Sequence, residues 1–96
     1  MPYGYVIAQI NVTDPEAYPT YVAMVGPIVA KFGGEFLVRG GRSESHEGTS
    51  PGDRTVVIRF PSYEAAYAWY HSDDYAAAKR LRMAASTSVQ TIVEGV

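Results

Sequence analysis

The order in which the hydrophobic period changes along the chain constrains its fold more than any other feature. Apolar and polar residues alternate, as in a β-strand, in segments 3–12, 35–43, 54–60 and 88–94. Between the first two segments, and again after Pro61, apolar residues recur at helical spacing. Strand, helix, strand, strand, helix, strand is the order of a split βαβ unit, which predicts a four-stranded antiparallel sheet. Because crossovers of this kind are right-handed, both helical segments are expected on one face of the sheet.

The predicted helices have start and stop signals of their own. Thr13 and Glu16 have the spacing of a capping box at the first helix. Asp14 can instead cap this helix, with Pro15 at its first position. Further signals are the glycine pair that ends this helix, Gly33-Gly34, and the serines that begin the later helical segments, Ser62 and Ser72.

The predicted strands have two faces of different composition. One face is uniformly apolar: Val6, Ala8, Ile10, Val56, Ile58 and Phe60. The other face is mixed: Tyr5, Ile7, Gln9, Asn11, Leu37, Arg39, Thr55, Val57, Arg59, Gln90 and Ile92. The apolar face must lie under the helices, so the mixed face is the open side of the sheet. We therefore predict one α+β domain of ferredoxin-like fold over residues 1–96.

The open face is too apolar to be left in water and too polar for an ordinary core. Ile7, Leu37 and Val57 lie on it together with Arg39 and Gln9. A chain of 96 residues buries only about 60–65% of the surface that its unfolded form exposes, so its own core is thin. We predict a homodimer in which a second copy covers the open face and leaves a cleft.

Composition excludes several classes of function. The chain has no cysteine, which rules out disulfides, thiolate catalysis and cysteine-ligated metals, and its two histidines are far apart. A net charge of −2 and a pI near 5.5 argue against a nucleic-acid partner. No apolar run approaches the ~20 residues that cross a membrane, and the N-terminus lacks the pattern of a signal peptide. We expect a cytoplasmic protein with no metal and no tightly bound cofactor.

The candidate ligand contacts are Gln9, Asn11 and Arg39 on the open face and Tyr21 on the first helix. Arg39 precedes Gly40-Gly41, where a ligand can approach the backbone closely. Its guanidinium can bind a carboxylate or an enolate-like oxygen through two hydrogen bonds. The alternative is a salt bridge between subunits, and the sequence leaves both open.

Aromatic residues and histidines have structural explanations that compete with functional ones. The bulky aromatic residues on or near the helices are expected in the core: Tyr18, Trp69, Tyr70 and Tyr75. Tyr21 alone is singled out as a pocket residue. His46 lies in a loop-like segment and His71 just before the Ser72 cap, and the sequence shows no orienting partner that would make either a base. Exposed or capping positions are favoured for both.

The charged residues of the last helix are explained by the helix dipole. Asp73-Asp74 open this helix, where acids are stabilising, and no further ligand-type spacing supports a metal site there. Lys79, Arg80 and Arg82 lie towards its end, where cations are stabilising. We assign no ligand to these charges.

Several stretches of the sequence together resemble a known family. They are Asp14-Pro15-Glu16-Ala17-Tyr18, Phe32-Gly33-Gly34, Phe36-Leu37-Val38-Arg39-Gly40-Gly41, Phe60-Pro61-Ser62-Tyr63-Glu64-Ala65-Ala66, Trp69-Tyr70 and Ile92-Val93-Glu94-Gly95. The family is the domain-of-unknown-function 1330 family of the dimeric α/β-barrel superfamily. The resemblance implies a ferredoxin-like protomer that pairs sheet to sheet. It implies no activity, because relatives in the superfamily range from cofactor-free monooxygenases to isomerases and fold does not transfer chemistry.

Two hypotheses of function follow. In the first, the protein binds or transforms a small organic acid or carbonyl compound in a cleft on the open sheet face, without metal or cofactor. In the second, it is a non-enzymatic dimeric module whose open face is consumed by subunit packing. The surroundings of Arg39 discriminate between them: a pocket at Arg39 that is closed to bulk water favours the first hypothesis, and a guanidinium fully paired with protein favours the second.

Overall fold

The computed structural model describes residues 2–96 and has the element order βαββααβ. The strands are β1 (Gly4–Val12), β2 (Glu35–Arg39), β3 (Arg54–Phe60) and β4 (Ser86–Glu94). The helices are α1 (Tyr18–Lys31), α2 (Tyr63–Tyr70) and α3 (Asp73–Ala85). The strands form one antiparallel sheet in the order β2-β3-β1-β4. The predicted ferredoxin-like fold is confirmed, with its second helical segment divided in two.

Two of the three helices begin at a side-chain cap. Neither start predicted for α1 forms: the N-cap of this helix is Ala17, with no side-chain hydrogen bond, and Asp14 Oδ1 accepts hydrogen bonds from the backbone N–H groups of Glu16 (3.1 Å) and Ala17 (3.2 Å) in the turn before it. The helix then begins at Tyr18, so Pro19 falls in its first turn, where a missing N–H leaves no bond unmade. Ser62 caps α2 and Ser72 caps α3, as predicted.

The core lies between the helices and the apolar face of the sheet, as predicted. Its sheet side is Val6, Ala8, Ile10, Val56, Ile58 and Phe60, all buried. Its helix side is mainly aromatic: Tyr18, Tyr21, Trp69 and Tyr75. The prediction that aromatic residues fill the core holds for Tyr18, Trp69 and Tyr75, whereas Tyr70 is only half-buried. Tyr21, predicted as a pocket residue, also lies in the core.

Strand β2 differs from the prediction in its length and in its phase. It ends at Arg39 and not at Ser43, because Gly40 turns the backbone with φ +70° and a side chain there would overlap the Arg54 guanidinium. A β-bulge interrupts the pairing earlier, between Phe36 and Val38. The extra residue, Leu37, shifts every following side chain to the opposite face of the sheet.

The bulge overturns the predicted position of Arg39. Phe36 pairs with Ile58 and Arg39 pairs with Val56, both of which face the helices. Arg39 therefore lies on the helix side and not on the open face. A similar error affects Gln90 and Ile92, since they pair with Ala8 and Val6 and share their helix-facing side.

The open face keeps a substantial apolar surface. Ile7 is 38% exposed, Val89 50% and Val93 41%. Ile7 lies between Val57 of β3 and Thr91 of β4, near the middle of the sheet. Apolar groups in this arrangement favour burial against a second surface.

We predict that Ile7→Glu converts a dimer into a monomer, because a carboxylate at the centre of a buried apolar face is left without its water. Sedimentation at micromolar concentration measures this, with the 10.5 kDa chain as the monomer reference. Met83→Glu is the control, since Met83 is 59% exposed on α3, away from the open face. Wild-type protein that sediments only as a 10.5 kDa species contradicts the prediction.

Candidate functional site

The four predicted ligand contacts do not form one site. Tyr21 and Arg39 both line a cavity between α1 and the sheet. Gln9 and Asn11 line a separate cleft on the opposite face, beneath the loop that joins β2 to β3. The sheet itself separates the two pairs.

The cavity beside Tyr21 and Arg39 is too small for an organic acid. Its volume of about 20 Å³ is room for about one water molecule. At its edge the exposed Arg39 donates from Nη2 to the carbonyl oxygen of Val22 at 3.0 Å, and its guanidinium lies 4.0 Å from the ring centre of Phe36. No acid among residues 2–96 forms a salt bridge with it. Its ligand role stays a prediction.

The cleft beside Gln9 and Asn11 is large enough but has the wrong charge for an anion. Its volume is about 580 Å³. The charged residues in its lining are both acidic, Glu44 and Asp53, and no cation is among them. An organic acid there is repelled.

A third region combines space with positive charge, and we call it the β4 groove. It consists of two adjoining clefts of about 280 and 250 Å³ that share Tyr70 and Gln90. Its floor is the helix-facing side of β4, Ser86, Ser88, Gln90 and Ile92. Its walls come from α2 and α3: Tyr63, Tyr67, Tyr70, His71, Arg82 and Met83.

Arg82 is the principal charged group of the β4 groove, and only 2% of it is exposed. Its Nη1 donates to Ser88 Oγ at 2.6 Å, and its Nη2 lies 3.5 Å from the Tyr70 hydroxyl, at the limit of a hydrogen bond. Its Nε is buried and has no partner. Within residues 2–96 it forms no salt bridge. Buried guanidinium groups are ordinarily paired with an acid, whereas no acid among the described residues neutralises the charge of this one.

Residues 3–96 match the family described as "Domain of unknown function (DUF1330)". The chain belongs to this family. The match confirms the resemblance seen in the sequence and extends over nearly the whole chain. No curated protein matches the sequence.

Solved structures of similar fold come from several bacteria. A protein of unknown function from Rhodopseudomonas palustris is 19% identical, with 99% of this chain and 83% of that chain covered and a TM-score of 0.78. A cofactor-independent oxygenase from Streptomyces nogalater is 14% identical, with 97% and 92% covered and a TM-score of 0.67. A proposed antibiotic biosynthesis monooxygenase from Caulobacter crescentus is 20% identical, with 99% and 91% covered and a TM-score of 0.61. At these identities the likeness shows the fold alone.

A buried pair of tyrosines lies close enough to Arg82 to affect its pKa. The hydroxyls of Tyr21 and Tyr75 are 2.8 Å apart and hydrogen-bonded. Burial raises the pKa of both tyrosines, that of Tyr21 far above its ordinary value, so both hydroxyls are protonated at neutral pH. Burial lowers the pKa of the Arg82 guanidinium, but the neighbouring Tyr75 and Tyr21 outweigh it and the net pKa is raised. Arg82 is therefore a permanent cation.

Sequence reasoning missed Arg82, although a signal was present. The buried residues of α3 are Tyr75, Ala78, Arg82 and Ala85, at the spacing of one helix face. Arg82 thus occupies a position in the buried stripe, whereas its neighbour Arg80 is exposed. The helix dipole explains a cation near the end of α3, but it does not explain one on the buried face.

His46 and Asp74 lie outside the β4 groove, whereas His71 lies at its edge. His46 is exposed, with Nε2 3.8 Å from a Glu44 oxygen. His71 follows the end of α2, and its ring lies 4.3 Å from that of Tyr67 at the edge of the β4 groove. Asp74 pairs with Lys31 of α1.

Among residues 2–96 no group of three or more histidine or acidic side chains is placed to hold a metal ion. No helix in that range is long and apolar enough to span a membrane.

We predict that the tyrosine pair makes the fold sensitive to alkali. In the unfolded chain these hydroxyls ionise near pH 10, whereas burial keeps them protonated in the folded protein to higher pH. Because the folded pKa values are the higher ones, this stabilisation is complete below about pH 10 and is lost as the pH rises further. Each group lowers the free energy of unfolding by about 1.4 kcal/mol per pH unit in that range.

Urea unfolding at pH 8 and pH 11 measures the effect. The doubly substituted Tyr21→Phe/Tyr75→Phe protein is the comparison, because it removes both hydroxyls and leaves neither without a partner. It is expected to lose clearly less stability than wild type between the two pH values. Equal losses contradict the prediction.

Proposed function

We propose that the protein binds a small organic anion, a carboxylate or the enolate of a carbonyl compound, in the β4 groove, without a metal or a tightly bound cofactor. The observation that carries this proposal is Arg82, a guanidinium that is 2% exposed and has no acidic partner among residues 2–96. An unpaired buried charge destabilises a fold. We infer that this arginine is retained because a bound anion neutralises its charge. On the grounds of the exposed apolar residues on the open sheet face, we further propose that the protein is a homodimer.

The polar groups around Arg82 suit a carboxylate or enolate oxygen. A guanidinium offers five N–H donors in a planar fork, and two of them contact Ser88 and Tyr70. The contact to Tyr70 is long, so a ligand oxygen can replace it at little cost. Gln90 Nε2 donates to Ser88 Oγ at 3.2 Å. The same amide can donate a hydrogen bond to a ligand oxygen in the groove.

The groove supports binding more directly than it supports a reaction. Its lining contains a strong anion-stabilising group, and the histidine of its lining, His71, lies in the part farther from Arg82. One of the structures of similar fold is a cofactor-independent oxygenase. Because that likeness shows the fold alone, we propose binding as the function of this chain.

A thermal melt with a panel of small carboxylates and 1,3-dicarbonyl compounds tests the proposal. At a ligand concentration 100 times the dissociation constant, binding adds about 2.7 kcal/mol to the free energy of unfolding. Arg82→Gln is expected to abolish this gain. Arg80→Gln is the matched control, since Arg80 is exposed on the same helix and is expected to keep it. Equal ligand stabilisation of wild type and Arg82→Gln, or none by any compound, overturns the proposal.

A further inference from the structure

The part of the β4 groove farther from Arg82 is walled by aromatic rings. We call this part the tyrosine cleft; it has a volume of about 250 Å³ and is lined by Tyr63, Tyr67, Tyr70, His71, Gln90 and Ile92. Among residues 2–96, no carboxylate, lysine or arginine lines it. It joins the part that contains Arg82 through two shared residues, Tyr70 and Gln90.

Two of these rings, Tyr63 and Tyr67, lie outside the core of the protein, whereas Tyr70 packs against it. Tyr63, Tyr67 and Tyr70 are spaced along one face of α2, whereas the buried residues of that helix are Ala66 and Trp69. Tyr67 remains 52% exposed. A helix that turns one face to the core and a second, aromatic face to an open cleft is built to contact something else.

The rings are arranged so that a further aromatic ring can join them. Tyr67 and His71 have ring centres 4.3 Å apart at 41°, and Tyr70 meets His71 edge-on at 5.2 Å and 79°. Offset and edge-on contacts of this kind are the favourable geometries between aromatic rings. The floor beneath them is the aliphatic side chain of Ile92.

Resting on the proposed function, we infer that the anion bound in the β4 groove is an aromatic carboxylate, with its carboxylate on Arg82 and its ring in the tyrosine cleft. The strand gives the scale. Ser88 contacts Arg82, and Gln90, which lines both parts of the groove, lies two residues further along β4, a distance of about 7 Å at roughly 3.3 Å per residue. A ring joined to its carboxylate by a short chain spans this distance better than benzoate does.

Titration calorimetry with propanoate and 3-phenylpropanoate tests the inference. The two probes share the carboxylate and differ by the ring. Burial of a phenyl group predicts that wild type binds 3-phenylpropanoate about 30-fold or more tightly than propanoate. Tyr67→Ala is expected to reduce this ratio to within about threefold, because it removes the exposed wall of the cleft. Tyr3→Ala is the control, since Tyr3 is also exposed (46%) but lies outside the groove.

The outcomes separate the inference from the function on which it rests. Equal affinities of wild type for the two probes, both lost in Arg82→Gln, overturn the aromatic ligand and leave the anion site in place. Binding of 3-phenylpropanoate that Arg82→Gln does not weaken overturns the anion site itself. A tenfold or larger loss in Tyr3→Ala overturns the assignment to the tyrosine cleft. Circular dichroism of each variant confirms that it is folded before it is titrated.

Discussion

Arg82→Met is expected to give a protein that is more stable than wild type and that no longer binds organic anions. In wild type the guanidinium is 2% exposed, its Nε has no partner, and no acid among residues 2–96 compensates its charge. Replacing buried charges by apolar groups of similar volume is often stabilising, by about 1–4 kcal/mol. In a domain of this size each kcal/mol raises Tm by roughly 4–8 °C. Calorimetry without ligand measures the gain.

The same substitution at Arg80 is the matched control. Arg80 is exposed two residues earlier in α3, so Arg80→Met is expected to change the free energy of unfolding by less than about 0.5 kcal/mol. A lower Tm for Arg82→Met than for wild type contradicts the prediction. It would show that the hydrogen bond to Ser88 stabilises the fold by more than burial of the charge destabilises it.

A gain in stability coupled to a loss of binding distinguishes a functional charge from a structural one. A structural arginine stabilises the contacts it makes, so its removal weakens the fold. An arginine kept for a ligand destabilises the empty protein and is compensated only when the anion binds. We expect Arg82 to meet the second description, because it is buried without an acidic partner among residues 2–96, whereas Arg39 is exposed and stacked on Phe36.

The sequence was sufficient to predict the fold because local signals and long-range pattern agree. The alternation of apolar residues identified all the strands, and the caps at Ser62 and Ser72 form as predicted. The start of α1 required the structure, since Thr13 and Asp14 offered competing caps of similar strength. Neither residue caps α1 itself: the carboxylate of Asp14 accepts two backbone N–H groups in the turn before the helix, which begins at Tyr18.

The position of Arg39 could not be predicted because a β-bulge has no signal in this stretch. Phe36, Leu37 and Val38 are all apolar, so an insertion of one residue leaves the hydrophobic pattern unchanged. The shift becomes visible only when β2 pairs with β3. The predicted site therefore divided into residues on opposite sides of the sheet, Tyr21 and Arg39 on one and Gln9 and Asn11 on the other.

The sequence indicates that Arg82 is buried but not what surrounds it. Its place on the stripe of Tyr75, Ala78 and Ala85 marks it as facing the core. What the sequence does not show is which element covers that face, because the cover is a tertiary contact. The structure supplies it: β4 follows α3 without a loop, and Ser88 meets the guanidinium.

Trp69→Ala is expected to be the most destabilising of the substitutions considered. Trp69 is 1% exposed, and its ring lies 4.2 Å from that of Tyr75 and 5.4 Å from that of Phe60. Truncation of a buried aromatic residue costs about 3–5 kcal/mol, whereas a domain of this size has only about 5–15 kcal/mol in total. The expected fall in Tm is at least roughly 12 °C. Urea unfolding measures the loss.

Two further substitutions decide whether this loss reflects core packing. Trp69→Phe keeps an aromatic ring and removes an indole N–H that is buried without a partner, so it is expected to cost less than about 1.5 kcal/mol. Tyr67→Ala, on the exposed side of the same helix, is expected to stay within about 0.5 kcal/mol of wild type. Comparable losses in Trp69→Ala and Tyr67→Ala contradict the division of α2 into a buried face and a ligand-facing one. A small loss of unfolding free energy in Tyr67→Ala, together with weaker binding of 3-phenylpropanoate, distinguishes the two faces of α2. The buried face then contributes to the stability of the fold, and the exposed face contributes to ligand binding.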